Sequence, residues 1–138
     1  MPAQYSVFAI RLQDPYWWVA IGVVMWCPER KWVRVRMVGE AERPKNISKD
    51  DYTLVELCDR TLATWQNMKK IPDHEELLNP FEDRFWDVVR GQLPNRLRLS
   101  QAFPALKDDL EEELISLFHR IVAPVVDPSD WVPDSIKS

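Results

Sequence analysis

The side chains able to do chemistry are few and scattered. His74 opens the run His74-Glu75-Glu76-Leu77-Leu78, which lacks the second histidine, four residues on, that a zinc-protease helix needs. His119 stands near the end of an apolar-periodic segment, where a helix dipole favours a cation. Cys27 and Cys58 are too distant in sequence for a Cys-x-x-Cys pair, and no Cys/His spacing suits zinc. With three glycines in the chain there is no phosphate-cradling loop and no Gly-x-Ser-x-Gly elbow. The acids between Asp108 and Glu113 have the oxygen donors magnesium prefers, yet acids at that place are also what the start of a solvated helix carries. Asp50 and Asp51 read the same way. Local motifs therefore assign no catalytic residue, no metal ligand and no cofactor. An enzymatic alternative is a site assembled from Glu29, Arg30, Arg84 and His119, which the fold must bring within a few ångströms.

The stretch YWWVAIGVVMWCPERKWVRVRM, Tyr16 to Met37, is of another kind, holding four of the seven tryptophans. Residues 31–38 alternate strictly. Val33, Val35 and Met37 point one way, and Trp32, Arg34 and Arg36 the other, as in a half-solvated strand. Arginine over tryptophan is a favourable cation–π pair, and both types are enriched in binding hot spots. Trp17 and Trp18 face opposite sides, so at least one belongs to the core. The candidate partner-binding set is Trp17, Trp32, Arg34 and Arg36. A protein partner is the first expectation; single-stranded nucleic acid, stacked on the same face, is the alternative.

The elements that must position this face are legible from periodicity. Residues 5–12 alternate with both faces largely apolar, which predicts a central strand. Gln13-Asp14-Pro15 predicts a turn. Residues 17–27 form a continuous apolar run rich in β-branched and aromatic residues, the pattern of a strand covered on both sides. Pro28-Glu29-Arg30 breaks it, so residues 17–38 read as a hairpin. Ser48, with Asp51 three residues on, opens a helix. Its stripe is Leu54, Leu57, Cys58, Thr61, Leu62, Trp65 and Met68, and it stops before Pro72. Asn79 and Pro80 predict the start of a second helix, with Phe81, Phe85, Val88 and Val89 inward and Gly91 at its end; a strand over residues 85–89 competes. Leu97-Arg98-Leu99 reads as an edge strand. Asp108 and Asp109 open a last helix with the stripe Leu110, Leu114, Leu117, Phe118 and Ile121. From about residue 127 a polar tail follows, whose Trp131 could dock back onto the body.

Strands first and helices after predict the α+β class: an antiparallel sheet of three or four strands with an N-terminal β-hairpin, packed against about three helices on one face. The 138 residues suit one domain. With 46% hydrophobic and 29% charged residues the balance is that of a soluble globular protein. The net charge of −4 disfavours a grip on nucleic acid by the protein as a whole. No stretch nears the roughly 18 apolar residues of a membrane span. The opening MPAQYSVFAIRLQD has no basic region ahead of a long apolar run. A cytoplasmic protein with no membrane partner and with reduced, buried cysteines is expected.

Tyr5-Ser6-Val7, the run from Trp18 to Arg30, Arg84-Phe85-Trp86 and the closing LISLFHRIVA resemble the uncharacterised bacterial domain-of-unknown-function family 3037. That family opens with a tyrosine-led strand and continues through an Arg-Gly-Glu-Phe-x-Asn-x-Gly-Val run to a Cys-x-Glu-Arg-like turn. Where the family has Arg, Gly and Glu, this chain has Pro15, Tyr16 and Trp17, and Ala20 replaces Asn; Gly22 is kept. Neither Trp nor Ala replaces the hydrogen-bonding capacity of a carboxylate or an amide, so the exchange favours a binding surface over an active site. The resemblance implies no established activity. It implies a regulatory role in a bacterial or phage system, with a HipA-like kinase as a candidate partner.

Overall fold

Two long strands, β1 (Gln4–Gln13) and β2 (Tyr16–Cys27), pair antiparallel along their length. The computed structural model that shows this describes residues 3–13, 16–43 and 47–122, with the side chains of residues 13, 16 and 17 outside the description. Trp131 and the polar tail also lie outside the described residues. Alternation does the sorting: Ser6, Phe8, Ile10 and Leu12 are buried on one face of β1, while Tyr5, Val7, Ala9 and Arg11 stay half-buried on the other. Phe8 faces Gly22 and Ala9 faces Ala20, which leaves Ile21 as the extra residue of a β-bulge. A turn over residues 28–31, with Lys31 in the left-handed region (φ 49°) and its N–H donating to the Pro28 carbonyl at 3.2 Å, sends the chain back as β3 (Trp32–Met37). The expected hairpin is therefore present.

β4 (Leu97–Leu99) and β5 (Phe103–Pro104) both pair with the other side of β1. The sheet is antiparallel and five-stranded, ordered β3-β2-β1-β4 with β5 beside β1. Three α-helices pack on it: α1 (Lys49–Met68), α2 (Asp83–Gln92) and α3 (Leu110–Ile121). This is an α+β fold with the expected central first strand and the expected edge strand at Leu97–Leu99.

The helices are not all on one face. On the face of Phe8 and Trp26, the α2 residue Trp86 stacks on Trp26 at 5.9 Å and meets Phe8 edge-on at 6.4 Å. Both indoles are sealed from water and both N–H groups are satisfied: Trp26 Nε1 donates to Asp83 Oδ1 at 2.6 Å and Trp86 Nε1 to the Pro80 carbonyl at 2.6 Å. The opposite face carries α3, whose Phe118 lies under the guanidinium of Arg36. The continuous apolar run of β2 is the cause. Val23 and Met25 point away from Trp26 and are fully buried, so they too require a cover.

Other elements shift by a few residues from expectation. Ser48 caps α1 as predicted, its Oγ accepting from the Asp51 N–H at 3.1 Å, but the Asp51 carboxylate turns to Arg96 at 2.6 Å. The buried stripe of α1 is Tyr52, Val55, Cys58 and Leu62, with Leu57 and Met68 more than half exposed. The helix is rolled away from the stripe expected from leucine spacing. α2 starts at Asp83 rather than after Asn79: residues 79–82 form a turn, Glu82 N–H donating to the Asn79 carbonyl at 3.0 Å, and the Pro80 carbonyl is engaged by the Trp86 indole. Phe85, Trp86 and Val89 are its buried residues, Gly91 lies within it, and the competing strand does not form.

Candidate functional site

β3 is an edge strand, and its register places Trp32, Arg34 and Arg36 opposite Cys27, Met25 and Val23, on the α3 face of the sheet. The predicted set Trp32, Arg34 and Arg36 thus shares one strand face, with Trp32 half-buried and both arginine side chains about half exposed. Trp17 lies in β2 opposite Leu12. Its register puts it on the Trp26 face of the sheet, so it is not part of the β3 surface.

The two arginines differ. The Arg36 guanidinium sits 4.3 Å from the ring centroid of the buried Phe118 and pairs with Glu42 at 3.0 Å. Glu42 in turn accepts from the Gly39 N–H at 2.9 Å, which fixes it beside the end of the strand. Arg36 is thereby tied to α3 and to the short 3₁₀ turn Glu40–Glu42. Arg34 lies over Trp32 at 5.5 Å and pairs with Glu111 at 3.4 Å, where both partners are more than half exposed. Arg34 is the looser of the two.

Each arginine also bonds to the backbone of its own strand. Arg34 Nη1 donates to the Val33 carbonyl at 2.8 Å, and Arg36 Nη1 to the Met37 carbonyl at 3.2 Å. Beyond the strand end, the Val38 N–H donates to the Ile21 carbonyl of β2 at 2.8 Å. In an antiparallel ladder the direction of the backbone groups alternates. Trp32, Arg34 and Arg36 therefore aim their N–H and C=O groups at β2, and Val33, Val35 and Met37 aim theirs off the open edge. The carbonyls held by the arginines are two of those edge carbonyls.

A second aromatic–basic contact on the same face escaped the sequence reading. Arg98 of β4 stands 4.1 Å over the ring of Trp18. The pairing explains it: Arg98 faces Ala9, and Trp18 faces Arg11, so all three strands present these groups on the α3 side. Arg98 between two leucines was a visible alternation, but its partner became definable only once β4 was known to pair with β1.

The enzymatic alternative fails on geometry. Glu29 and Arg30 share a hollow of about 320 Å³ with Lys107 and Asp108, and Arg30 Nη1 donates to the Asp108 carbonyl at 2.7 Å. Arg84 is on α2 and pairs with the exposed Glu76, whereas His119 is exposed on α3, across the sheet. The four do not converge. In the acidic run, the Asp109 side chain caps α3 by accepting from the Glu112 N–H at 3.1 Å, and the buried Glu113 accepts from the N–H groups of Leu106 and Lys107 at 3.0 and 2.9 Å. Those are structural duties. Among the described residues no group of three or more His, Cys, Asp or Glu side chains is placed to hold a metal ion, and no helix is long and apolar enough to cross a membrane. Cys27 and Cys58 are buried free thiols, and burial first, then the nearby Asp59 charge, pushes the Cys58 thiol up to about 12.

Residues 18–122 match the family described as Protein of unknown function (DUF3037). No curated protein matches the chain, and no solved structure does. The matched span runs from the Trp18 that supports Arg98, through the whole of β3, to the end of α3, well over half of the sequence. The chain belongs to the DUF3037 family.

Proposed function

We propose that this is a non-enzymatic interaction protein, regulatory in a bacterial or phage system, that binds a protein partner through the Trp32–Arg34–Arg36 face of β3. The observation that carries the reading is the half-exposed Trp32 with Arg34 over its ring, on an edge strand whose other side is anchored in the core. A tryptophan with one side supported by the core and an arginine above it is preorganised for contact, since few rotamers are left to freeze on binding. The test is a pull-down with cross-linking and mass spectrometry, comparing the parent chain with Trp32→Ala/Arg34→Ala and with a control change at the exposed Leu106. The double variant keeps its circular dichroism and loses the partner; the Leu106→Ser control keeps both. Capture unchanged in the double variant removes the proposal.

One observation favours single-stranded nucleic acid as a second reading: Arg98 over Trp18 adds another stacking site on the same face. Binding of that kind weakens steeply as salt is added. An oligonucleotide that fails to bind at low salt ends it.

A further inference from the structure

The edge of β3 is closed by its own arginines. Val33, Val35 and Met37 aim backbone N–H and C=O groups outward, which is a ready template for another strand. The carbonyls of Val33 and Met37 are occupied by Arg34 and Arg36, leaving the outward N–H groups of the same residues facing solvent along the edge. Such a lock is weak, because each of its bonds spans neighbouring residues at the surface and the Arg34 side chain is more than half exposed. A strand carrying carboxylates can open it: the guanidiniums swing from carbonyl to carboxylate, and the partner's N–H groups take the freed carbonyls.

We infer that β3 accepts an extended acidic segment of a partner protein as a further strand of the sheet, with Asp or Glu at alternate positions facing Arg34 and Arg36. The inference rests on the proposed role of the β3 face and names the kind of partner that fits it. Charge decides between occupants. A second copy of this chain pairing antiparallel about Val35 would set Arg34 of each copy opposite Arg36 of the other, and like charges directly across a ladder are destabilising. An acidic strand places opposite charges there instead, with Arg30 and Lys31 of the adjoining turn adding to the attraction. Strand addition of this type draws affinity from main-chain hydrogen bonds and specificity from alternate side chains.

The experiment is amide hydrogen exchange by NMR with a capped synthetic peptide of about eight residues alternating glutamate and threonine. In the protein alone, Val33, Val35 and Met37 amides exchange fast while those of Arg34 and Arg36, bonded to β2, exchange slowly. With the peptide, the three edge amides slow by about tenfold or more and the inner amides do not change. A peptide with lysine for glutamate, or one N-methylated at alternate residues, gives no slowing. Peptide binding without slowing of the three edge amides overturns strand addition, as does equal slowing by the lysine peptide or none at millimolar peptide. These outcomes are separable from failure of the face itself. If Trp32→Ala/Arg34→Ala still abolishes partner capture, the face stands and only the added strand falls.

Discussion

Arg36→Ala costs much more stability than Arg34→Ala, although the two residues are neighbours on one strand face. Three contacts of Arg36 are lost together. The guanidinium 4.3 Å from the Phe118 centroid covers a ring that is otherwise buried, so its cation–π contact lies between the exposed and the desolvated case, about 1 kcal/mol. The ion pair with Glu42 adds about 0.5 kcal/mol, as surface pairs do. The bond to the Met37 carbonyl adds about 0.5 kcal/mol net, because water replaces it at an exposed edge. The sum is about 2 kcal/mol. For Arg34 the ring distance of 5.5 Å is near the outer limit of attraction and Glu111 is exposed, so about 0.5 kcal/mol is expected. Urea unfolding followed by tryptophan fluorescence reads the difference: at a slope of about 2 kcal/mol per molar, the midpoint drops by about 1 M for Arg36→Ala and about 0.25 M for Arg34→Ala. Sodium chloride at about 0.5 M screens the ion pairs and leaves most of the Arg36 cost in place. Equal costs, the reverse order, or an Arg36 cost that vanishes in salt would refute the reasoning that the stack on Phe118 makes Arg36 structural and leaves Arg34 available.

Three further outcomes follow from the core. Asp83→Ala leaves the buried Trp26 indole N–H without its acceptor and lowers stability by about 2 kcal/mol, whereas Asp83→Asn, which keeps an acceptor oxygen, costs under about 1 kcal/mol by the same urea measurement. Gly22→Ala forces a methyl against the side chain of Met37 and within 2.9 Å of the Arg36 carbonyl; circular dichroism melting shows a loss of about 2 kcal/mol, eased by the companion change Met37→Ala. Cys58, held as a thiol up to about 12, resists iodoacetamide at pH 9 in the folded protein and reacts once urea unfolds it. Because its folded value lies above that of the unfolded chain, stability falls as pH rises from about 9 toward about 12, and Cys58→Ala reduces that fall.

Much of this fold was legible because the sequence obeys simple periods. Strict alternation over residues 31–38 gave the face of β3, and the unbroken apolar run before it predicted a strand covered on both sides. That second feature already contained the placement of α3 opposite α2, but the expectation of helices on one face overrode it. The roll of α1 was not legible from apolar spacing alone. Leu54, Leu57, Thr61 and Trp65 form as good a stripe as Tyr52, Val55, Cys58 and Leu62, and only the neighbours decide. The first set lines a shallow apolar groove of about 170 Å³ with Leu93, Pro94 and Leu97 instead of entering the core. The start of α2 was misplaced because Asn79-Pro80 is a good opening for a helix, while the competing demand, a buried Trp86 indole needing the Pro80 carbonyl, is tertiary. For the site, β3 was readable residue by residue. Arg98 over Trp18, and the arginine bonds to edge carbonyls, required the strand order.

The strand order also resolves an apparent conflict in what Arg34 and Arg36 do. An exposed, flat edge invites association with any extended chain, and proteins blunt such edges with charge. The same charges can select a partner if the blunting is cheap to undo. Here the bond from Arg34 to the Val33 carbonyl joins groups at the surface, so replacing it with a partner's N–H changes the carbonyl's energy little. The gain then comes from the outward N–H groups of Val33, Val35 and Met37, which exchange water for carbonyls of the incoming strand, and from carboxylates meeting guanidiniums. A neutral strand gains the first and displaces the arginines without replacing their acceptors. A basic strand or a second copy gains the first and pays in repulsion. Only an acidic strand gains both, so guarding against the many and admitting the few are the same arrangement of two arginines.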